Sequence, residues 1–252
     1  LMPDKKEIKK FGFMLGSIVL LAGTVFSLNS GKSKAKMENK KGRIIYVFDP
    51  LCGWCYGFSK VISEFYSLNQ NQYDFEIVGG GMLTGDRVEP IGKIAPYIKS
   101  AFREVENASG IKFGKKFIEE TLEKGTIVFN SVPPSIALAI VKKEKPEFSI
   151  PYAEAIQKAI YFDGIDPNNQ DEYSLIASQF GFDKSEFTKK QNDISFLRLA
   201  QSDFHLSDSL NVNGFPTVFY VNNKNQAWPI ARGYVSLNAL IENLNKVVSI
   251  KK

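Results

Sequence analysis

Two cysteines, Cys52 and Cys55, carry the clearest chemical potential in this sequence, and the chain contains no others. They flank Gly53 and Trp54, which places both sulfurs within one helical turn. If a helix starts here, its unpaired N–H groups and its dipole favour a thiolate on the first sulfur. The second sulfur would lie one turn further in and more buried. The spacing therefore predicts a redox dithiol with Cys52 as nucleophile and Cys55 as resolving thiol.

Two other uses of a cysteine pair have to be weighed. A structural zinc site needs about four ligands, and besides these two cysteines the chain offers a single histidine, His205. His205 lies in a helical pattern with Leu206 and Leu210, and we assign it no role. An inert buried pair is the second alternative, because cysteines are often buried without function. We expect no metal and no cofactor apart from a Cys52–Cys55 disulfide.

The sequence around the dithiol indicates the elements that position it. The apolar, β-branched run Arg43 to Phe48 predicts a buried strand that ends at Asp49-Pro50. Apolar residues at helical spacing predict a helix from Trp54 to Leu68, and Tyr73 to Val78 predicts a second strand. This strand, helix, strand order is typical of a parallel β-α-β unit.

A long helical segment is predicted to follow. Gly79 to Gly81 lacks the Lys and Ser/Thr of a phosphate-binding loop, so we expect this run to bend the chain into the segment. From Pro90 to about Leu210 no convincing strand is found. Ser131 is expected to cap one helix there, and Asp183 with Glu186 resembles a capping box at the start of another.

Strand signals return near the end of the chain. Pro216 to Val221 predicts a strand, Trp228 to Tyr234 predicts another after a turn, and Leu237 to Val248 predicts an amphipathic helix. The organisation expected is an N-terminal segment, the first half of an α/β domain, a helical insertion and the second half of that domain, over residues 1–41, 42–85, 86–210 and 211–252.

Two motifs together resemble a known family. Asp49-Pro50-Leu51-Cys52-Gly53-Trp54-Cys55-Tyr56-Gly57-Phe58, followed far downstream by Val212-Asn213-Gly214-Phe215-Pro216-Thr217, is similar to the DsbA family. The likeness is strongest to its predicted protein-disulfide isomerase branch, which has a C-x-W-C motif, and it covers roughly residues 42–250. It implies a thioredoxin fold with an inserted all-helical domain.

The resemblance also implies roles for residues outside the dithiol. In that family the proline matching Pro216 is cis and faces the dithiol, while the preceding backbone pairs with an extended substrate. Phe215 and Pro216 are thus expected to contact substrate, as is Trp54 between the cysteines. A trans proline at the first residue of a strand is the alternative for Pro216.

The sequence departs from the family pattern at two positions. Many members have a buried acid six residues before the nucleophile that exchanges protons with the resolving thiol, and this chain has Tyr46 there. Asp49 or a water could substitute, although a turn residue beside Pro50 is the simpler role for Asp49. The second departure is Trp54, where the strongest oxidants have His. A neutral indole cannot stabilise a thiolate by charge, so we expect a less oxidising couple.

The N-terminal segment predicts export or anchoring. Four lysines precede an uncharged, mostly apolar run from Phe11 to Leu28, and a polar, Lys-rich stretch follows to Lys41, as in a signal peptide or signal anchor. Of the net charge of +5, residues 1–41 supply +6 and the rest of the chain about −1. Because the folded part has no net positive charge, the balance does not favour nucleic acid.

We therefore expect a thiol-disulfide oxidoreductase in the periplasm or elsewhere outside the cytoplasm. It would exchange disulfides with exported proteins or peptides and with a membrane or periplasmic redox partner. An uncleaved N-terminal segment would also attach it to the inner membrane. Two other functions remain open: a glutathione-dependent isomerase or transferase of the same fold, and a membrane-tethered peptide-binding module. Oxidase, reductase and isomerase share this site, so the direction is open as well.

Overall fold

A four-stranded sheet forms the centre of the computed structural model, which describes residues 42–250. Its strands are β1 (Arg43–Phe48), β2 (Asp74–Gly79), β5 (Thr217–Val221) and β6 (Ala227–Arg232). They lie in the order β2-β1-β5-β6, with β1 parallel to β2 and antiparallel to β5, and β5 antiparallel to β6. The predicted signal peptide or anchor in residues 1–41 lies outside the described residues.

The central strand β1 is covered on both faces, which explains why almost every residue in it is apolar. Successive side chains point to opposite faces of a sheet. Tyr46 and Phe48 lie on the face covered by α1 (Gly53–Asn69), where the Tyr46 ring contacts Phe58. Ile45 and Val47 lie on the other face and belong to a cluster that includes Leu206 of α7 (Ile194–Ser209) and Leu210, the residue just after that helix.

Helices fill the chain between β2 and β5, which confirms the predicted α/β fold with an inserted helical domain. They are α2 (Ala95–Ser109), α3 (Val132–Glu144), α4 (Ser149–Tyr161), α5 (Gln170–Ser178), α6 (Lys184–Gln191) and α7, with 3-10 turns at Gly85–Arg87, Ile91–Lys93 and Pro146–Phe148 and a π-helix at Phe117–Leu122. The last helix, α8 (Leu237–Ile250), follows β6 and buries Leu240 and Leu244.

The insertion also contains a small sheet that the sequence analysis did not identify. Strands β3 (Glu89–Pro90) and β4 (Val128–Phe129) pair in antiparallel fashion over two residues each. A ladder this short has no alternation of apolar and polar residues that a sequence could display. Residues 42–250 belong to one packed unit, so the domain boundaries proposed at 85/86 and 210/211 stay a prediction. Within the described residues, no helix combines the length and apolar character needed to cross a membrane.

One of the two predicted helix caps is confirmed. The Asp183 carboxylate accepts a hydrogen bond from the Glu186 N–H at 2.9 Å, at the start of α6. Ser131 is the N-cap residue of α3, as predicted, but its hydroxyl makes no cap hydrogen bond, so the expected side-chain cap is wrong. The hydroxyl donates instead to Asp49 Oδ1 at 2.9 Å, and it accepts from the Leu83 N–H at 3.0 Å. The hydroxyl thus bonds to a residue distant in sequence and not to the first turn of its own helix.

The glycine run after β2 bends the chain, as expected, and it also makes room for an aromatic side chain. Gly81 has a left-handed backbone, with φ at +63°. Gly80 lies against the ring of Phe215, and a Cβ built on Gly80 would be 2.2 Å from the Phe215 Cζ atom. Only glycine therefore allows the Phe215 ring to pack on this backbone.

We expect Gly80→Ala to destabilise the protein by about 1–3 kcal/mol, because the new methyl group overlaps the Phe215 ring. Gly214→Ala is the matched control next to the same ring, since a Cβ on Gly214 meets no atom within 4 Å. Its effect should stay within about 0.5 kcal/mol. Urea unfolding of both variants measures the difference, and equal stabilities would contradict the packing described.

Candidate active site

The nucleophile predicted from the sequence lies at the start of a helix, as expected. Cys52 is the residue immediately before α1, with an extended backbone at φ −95° and ψ 114°. Its N–H donates to the Asp49 carbonyl oxygen at 3.1 Å, which closes a tight turn between β1 and α1. Pro50 suits this turn because its φ is fixed near the value needed there. The turn therefore holds Cys52 at the N-terminal end of the helix.

Asp49 holds this turn through its buried carboxylate. Oδ1 accepts hydrogen bonds from the Leu51 N–H and the Ser131 hydroxyl, both at 2.9 Å, and Oδ2 accepts from the Met82 N–H at 2.7 Å. Burial raises the pKa of Asp49, while these three hydrogen bonds act in the opposite direction. The geometry agrees with the simpler of the two expected roles, a turn residue. The Asp49 carboxylate also links the turn to two other chain segments, at Ser131 and Met82.

The loop before β5 brings the second motif to the dithiol. The Phe215–Pro216 peptide bond is cis, and Thr217 is the first residue of β5, so the alternative of a trans proline at a strand's first residue is wrong. The Cys52 thiol donates to the Phe215 carbonyl oxygen at an Sγ–O distance of 3.6 Å. The structure therefore places Cys52 directly beside the Phe215–Pro216 segment, which is distant in sequence.

The two cysteines differ in exposure. Both are free thiols; Cys52 keeps 8% of its surface exposed, whereas Cys55 is fully buried. Burial raises the pKa of the Cys55 thiol well above its usual range, and the neighbouring Cys52, to which this thiol donates a hydrogen bond, raises it further. A hydrogen bond from the Asp49 backbone acts in the opposite direction. Cys55 is thus the sulfur that keeps its proton, which supports the roles assigned from the sequence.

Tyr46, at the position where the family has a buried acid, points towards the same two sulfurs. Its side chain is 2% exposed, and its hydroxyl has no partner with hydrogen-bond geometry. Burial raises the pKa of Tyr46 well above the usual value, and the proximity of Cys55 and Cys52 adds to this increase. The Cys55 side chain lies within reach of this hydroxyl, although the pair does not have the geometry of a formed hydrogen bond. A buried tyrosine hydroxyl that stays unpartnered beside a dithiol is unusual.

An apolar cavity opens beside the exposed sulfur. It has a volume of about 290 Å³, and Cys52 and Trp54 form one wall, while Ile98 and Phe102 of α2 form the opposite wall and Tyr161 lies at one end. None of the residues that line it carries a charge. The Trp54 ring lies 6.3 Å from the Tyr234 ring, centroid to centroid. Trp54 thus takes the position next to the nucleophile that the sequence analysis assigned to it.

Residues of α2 and α4 that line this cavity were not identified from the sequence. Their apolar periodicity predicts helices but does not show which helix covers Cys52. His205 is exposed on α7 and does not line the cavity, in agreement with the absence of an assigned role. Within residues 42–250 no cluster of three or more His, Cys, Asp or Glu could hold a metal ion.

Comparison with known proteins gives one family match and several similar structures. The profile of the DSBA-like thioredoxin domain matches residues 43–244. No curated protein matches the chain. A candidate protein disulfide isomerase from Nitrosomonas europaea is 21% identical, with a TM-score of 0.73 over 84% of this chain and 100% of that one.

Two further structures have the same fold. The cytosolic disulfide reductase DsbM from Pseudomonas aeruginosa, which has also been solved with GSH, is 21% identical, with a TM-score of 0.69 over 82% of this chain and 99% of that one. A probable DsbA oxidoreductase from Streptomyces coelicolor is 14% identical, with a TM-score of 0.61 over 84% and 91% of the two chains. At these identities the likeness concerns the fold.

The contrast between the two thiols predicts selective alkylation. In the folded, reduced protein at neutral pH, iodoacetamide should modify Cys52 and leave Cys55 unmodified, because Cys55 is buried and its pKa is raised. A raised folded pKa also means that folding favours the neutral thiol. The resulting contribution of Cys55 to the stability of the folded protein is fully present below the pKa of about 8.5 that a cysteine has in the unfolded chain. It is lost as the pH rises through the higher pKa of Cys55 in the folded protein.

Mass mapping of alkylated peptides tests this. In a Cys52→Ser variant, Cys55 should become reactive only in denaturant or well above about pH 8.5. Rapid modification of Cys55 in the folded protein at neutral pH would contradict the buried, protonated state.

Proposed function

Because the chain belongs to the family of DSBA-like thioredoxin domains, a family of thiol-disulfide oxidoreductases, we propose that it exchanges disulfides with protein substrates through Cys52 and Cys55. One observation carries the proposal. The Cys52 sulfur lies at the start of α1, 3.6 Å from the carbonyl oxygen that precedes a cis proline, with a second thiol buried behind it. This arrangement combines a reachable nucleophile, a peptide backbone beside it and a resolving thiol.

The reaction proceeds through a mixed disulfide. The Cys52 thiolate attacks one sulfur of a substrate disulfide, the substrate S–S bond breaks, and its other sulfur leaves as a thiolate. The Cys55 sulfur then attacks Cys52, which releases the second substrate sulfur and forms the Cys52–Cys55 disulfide. The substrate gains two electrons and the dithiol loses two. In the reverse direction a substrate dithiol is oxidised by the same steps.

The lining of the cavity supports a polypeptide with apolar residues near its cysteine as substrate. A group bound to the Cys52 sulfur lies between Trp54 and α2, and the walls there are apolar. The Phe215 backbone on the other side of Cys52 provides an edge for an extended peptide. Phe215, Pro216 and Trp54 are therefore proposed to contact the substrate.

The same cavity bears on the two rival functions. Glutathione carries two carboxylates and an ammonium group, and no lining side chain has a charge to pair with them. The buried second thiol also has no purpose in a transferase that uses a single reactive group. A peptide-binding module without catalysis does not account for a second sulfur directly behind the first. DsbM with GSH shows that glutathione is bound by a protein of this fold, so glutathione disulfide belongs among the probes below.

We also propose that the protein acts outside the cytoplasm, on exported substrates and with a membrane or periplasmic redox partner. The support is the sequence of residues 1–41, in which lysines flank an apolar run. DsbM, which has the same fold, is a cytosolic protein. Fusion of residues 1–41 to alkaline phosphatase, which is active only when exported, tests the location independently of the chemistry.

Exchange through a mixed disulfide predicts opposite results for the two cysteine variants. Cys55→Ser should accumulate a covalent adduct with an unfolded protein that contains disulfides. Without Cys55, no thiol is available to break the mixed disulfide at Cys52. Cys52→Ala should form no adduct, and its activity in an insulin-reduction assay should fall to background. Non-reducing gels and mass spectrometry detect the adduct.

The choice of probe separates the candidate functions. Adducts with polypeptide disulfides should form faster than those with glutathione disulfide. Exclusive reaction with glutathione disulfide would favour the rival enzyme. Unchanged biological activity of Cys52→Ala would favour the binding module.

The reduction potential of the Cys52–Cys55 couple should be more negative than the value of about −120 mV for DsbA, because the indole of Trp54 has no charge to stabilise the Cys52 thiolate. Trp54→His is the matched variant. An imidazolium beside Cys52 favours the reduced form, so the potential should become less negative by roughly tens of millivolts. Equilibration with glutathione buffers measures both.

The measured value also indicates the direction of the reaction. A wild-type value near about −120 mV would contradict the expectation and identify an oxidase, whereas a value near about −270 mV would indicate a reductase.

A further inference from the structure

The unpartnered hydroxyl of Tyr46 contrasts with those of three other buried tyrosines, each of which donates to a backbone carbonyl. Tyr152 donates to the Tyr173 carbonyl at 2.9 Å, Tyr173 donates to the Pro167 carbonyl at 2.7 Å, and Tyr56 donates to the Lys112 carbonyl at 2.9 Å. The Tyr46 hydroxyl has no such partner, although it is excluded from solvent. Leaving a buried hydroxyl unpaired costs about 1–3 kcal/mol, so the arrangement needs a reason.

The ring of Tyr46 is fixed, and it directs the hydroxyl at the dithiol. Tyr46 lies on the central strand, paired with Ile77 on one side and Val218 on the other. Its ring stacks on Phe48 at 5.3 Å and contacts Phe58 at 5.9 Å, centroid to centroid. The titratable groups that act on this hydroxyl are the two thiols, Cys55 before Cys52, and the Cys55 side chain lies within its reach in the same core cluster.

The Asp49 carboxylate, whose charge also raises the pKa of Cys55, is already occupied by hydrogen bonds. Both carboxylate oxygens of Asp49 accept hydrogen bonds from Leu51, Ser131 and Met82. The Cys52 sulfur is covalently bonded in a mixed disulfide and no longer available as an acceptor. Tyr161 of α4 is the remaining titratable group affected by both sulfurs, and its pKa is raised by burial first and then by Cys52, Asp49 and Cys55.

We propose that the Tyr46 hydroxyl donates a hydrogen bond to the Cys55 sulfur whenever that sulfur is a thiolate. The inference rests on the function proposed above, because it concerns the moment at which Cys55 ionises in order to attack the mixed disulfide. Tyr46 keeps its own proton throughout, since its raised pKa makes it a donor and not a base. The residue therefore replaces the proton-exchanging acid of related proteins with a neutral donor.

The resolution step balances without any change at Tyr46. The Cys55 thiol loses its proton, and the resulting thiolate attacks the Cys52 sulfur. A Cys52–Cys55 bond forms, the bond between Cys52 and the substrate breaks, and the departing substrate thiolate takes up a proton. The net reaction converts one thiol and one mixed disulfide into the internal disulfide and a free substrate thiol.

Reaction of the reduced full chain with the aromatic disulfide 5,5′-dithiobis(2-nitrobenzoate) separates the two steps. Attack by Cys52 releases the first coloured thiolate at a rate proportional to reagent concentration. Attack by Cys55 releases the second at a rate independent of that concentration. Tyr46→Phe should leave the first phase unchanged and slow the second roughly ten- to a hundredfold, because a hydrogen bond to a charged sulfur is lost.

The pH profile of the second phase distinguishes a hydrogen bond from a packing effect. The rate rises with pH as Cys55 ionises, and in Tyr46→Phe this rise should move to higher pH by about one unit for each tenfold loss of rate. Tyr152→Phe, which loses a buried hydroxyl in the helical insertion, is the matched control. It should reduce stability without moving the profile. Phenylalanine retains the ring contacts of Tyr46, so Tyr46→Phe should remain folded.

Each result has one interpretation. If Tyr46→Phe and the wild-type chain show the same second phase and the same profile, the inference is wrong and the proposed function stands. If the wild-type chain releases only one coloured thiolate, Cys55 does not resolve the adduct and the proposed function itself fails. If Tyr152→Phe moves the profile as far as Tyr46→Phe does, the effect is a general consequence of lost stability and the inference is wrong.

Discussion

The buried carboxylate of Asp49 is the contact on which the position of the nucleophile depends. Removing a carboxylate from water costs several kcal/mol unless hydrogen bonds replace its hydration. Here donors from Leu51, Ser131 and Met82 supply them. These three donors belong to the turn before α1, the start of α3 and the entry to the helical insertion. One side chain therefore ties the dithiol turn to the start of α3 and to the Met82 segment, which itself lines the cavity.

The dithiol itself lies across a boundary between solvent and core. Cys52 retains a small exposed surface next to an apolar cavity, while Cys55 is enclosed by β1 and the first turn of α1. Burial in apolar surroundings keeps the Cys55 thiol protonated until a mixed disulfide has formed at Cys52 and Cys55 is needed as the nucleophile. Among the buried residues of β1, Tyr46 is the one with a polar side-chain group, and this group faces the sulfur whose charge the surroundings otherwise disfavour.

Much of the fold was predictable because its signals are local. The strand Arg43–Phe48 is apolar in nearly every position, and the observed bounds agree with those predicted. Two cysteines three residues apart at a strand-to-helix junction were enough to predict a nucleophile and a resolving thiol. The features that were missed depend on residues far apart in sequence. The Ser131 hydroxyl was expected to act locally, yet its partner Asp49 lies 82 residues away. Similarly, nothing in the periodicity of α2 shows that it covers Cys52.

The distance along the chain between the two parts of the site has a consequence for how the protein is made. Cys52 and Phe215 are separated by 163 residues, and β5 is the neighbour that completes the pairing of β1. During synthesis the dithiol leaves the ribosome long before β5 does, and the helical insertion is made in between. Contacts of such high sequence separation form late. The nascent chain thus carries an uncovered reactive thiol while the residues between Cys52 and Phe215 are synthesised, and one edge of its central strand stays open until β5 arrives to pair with it.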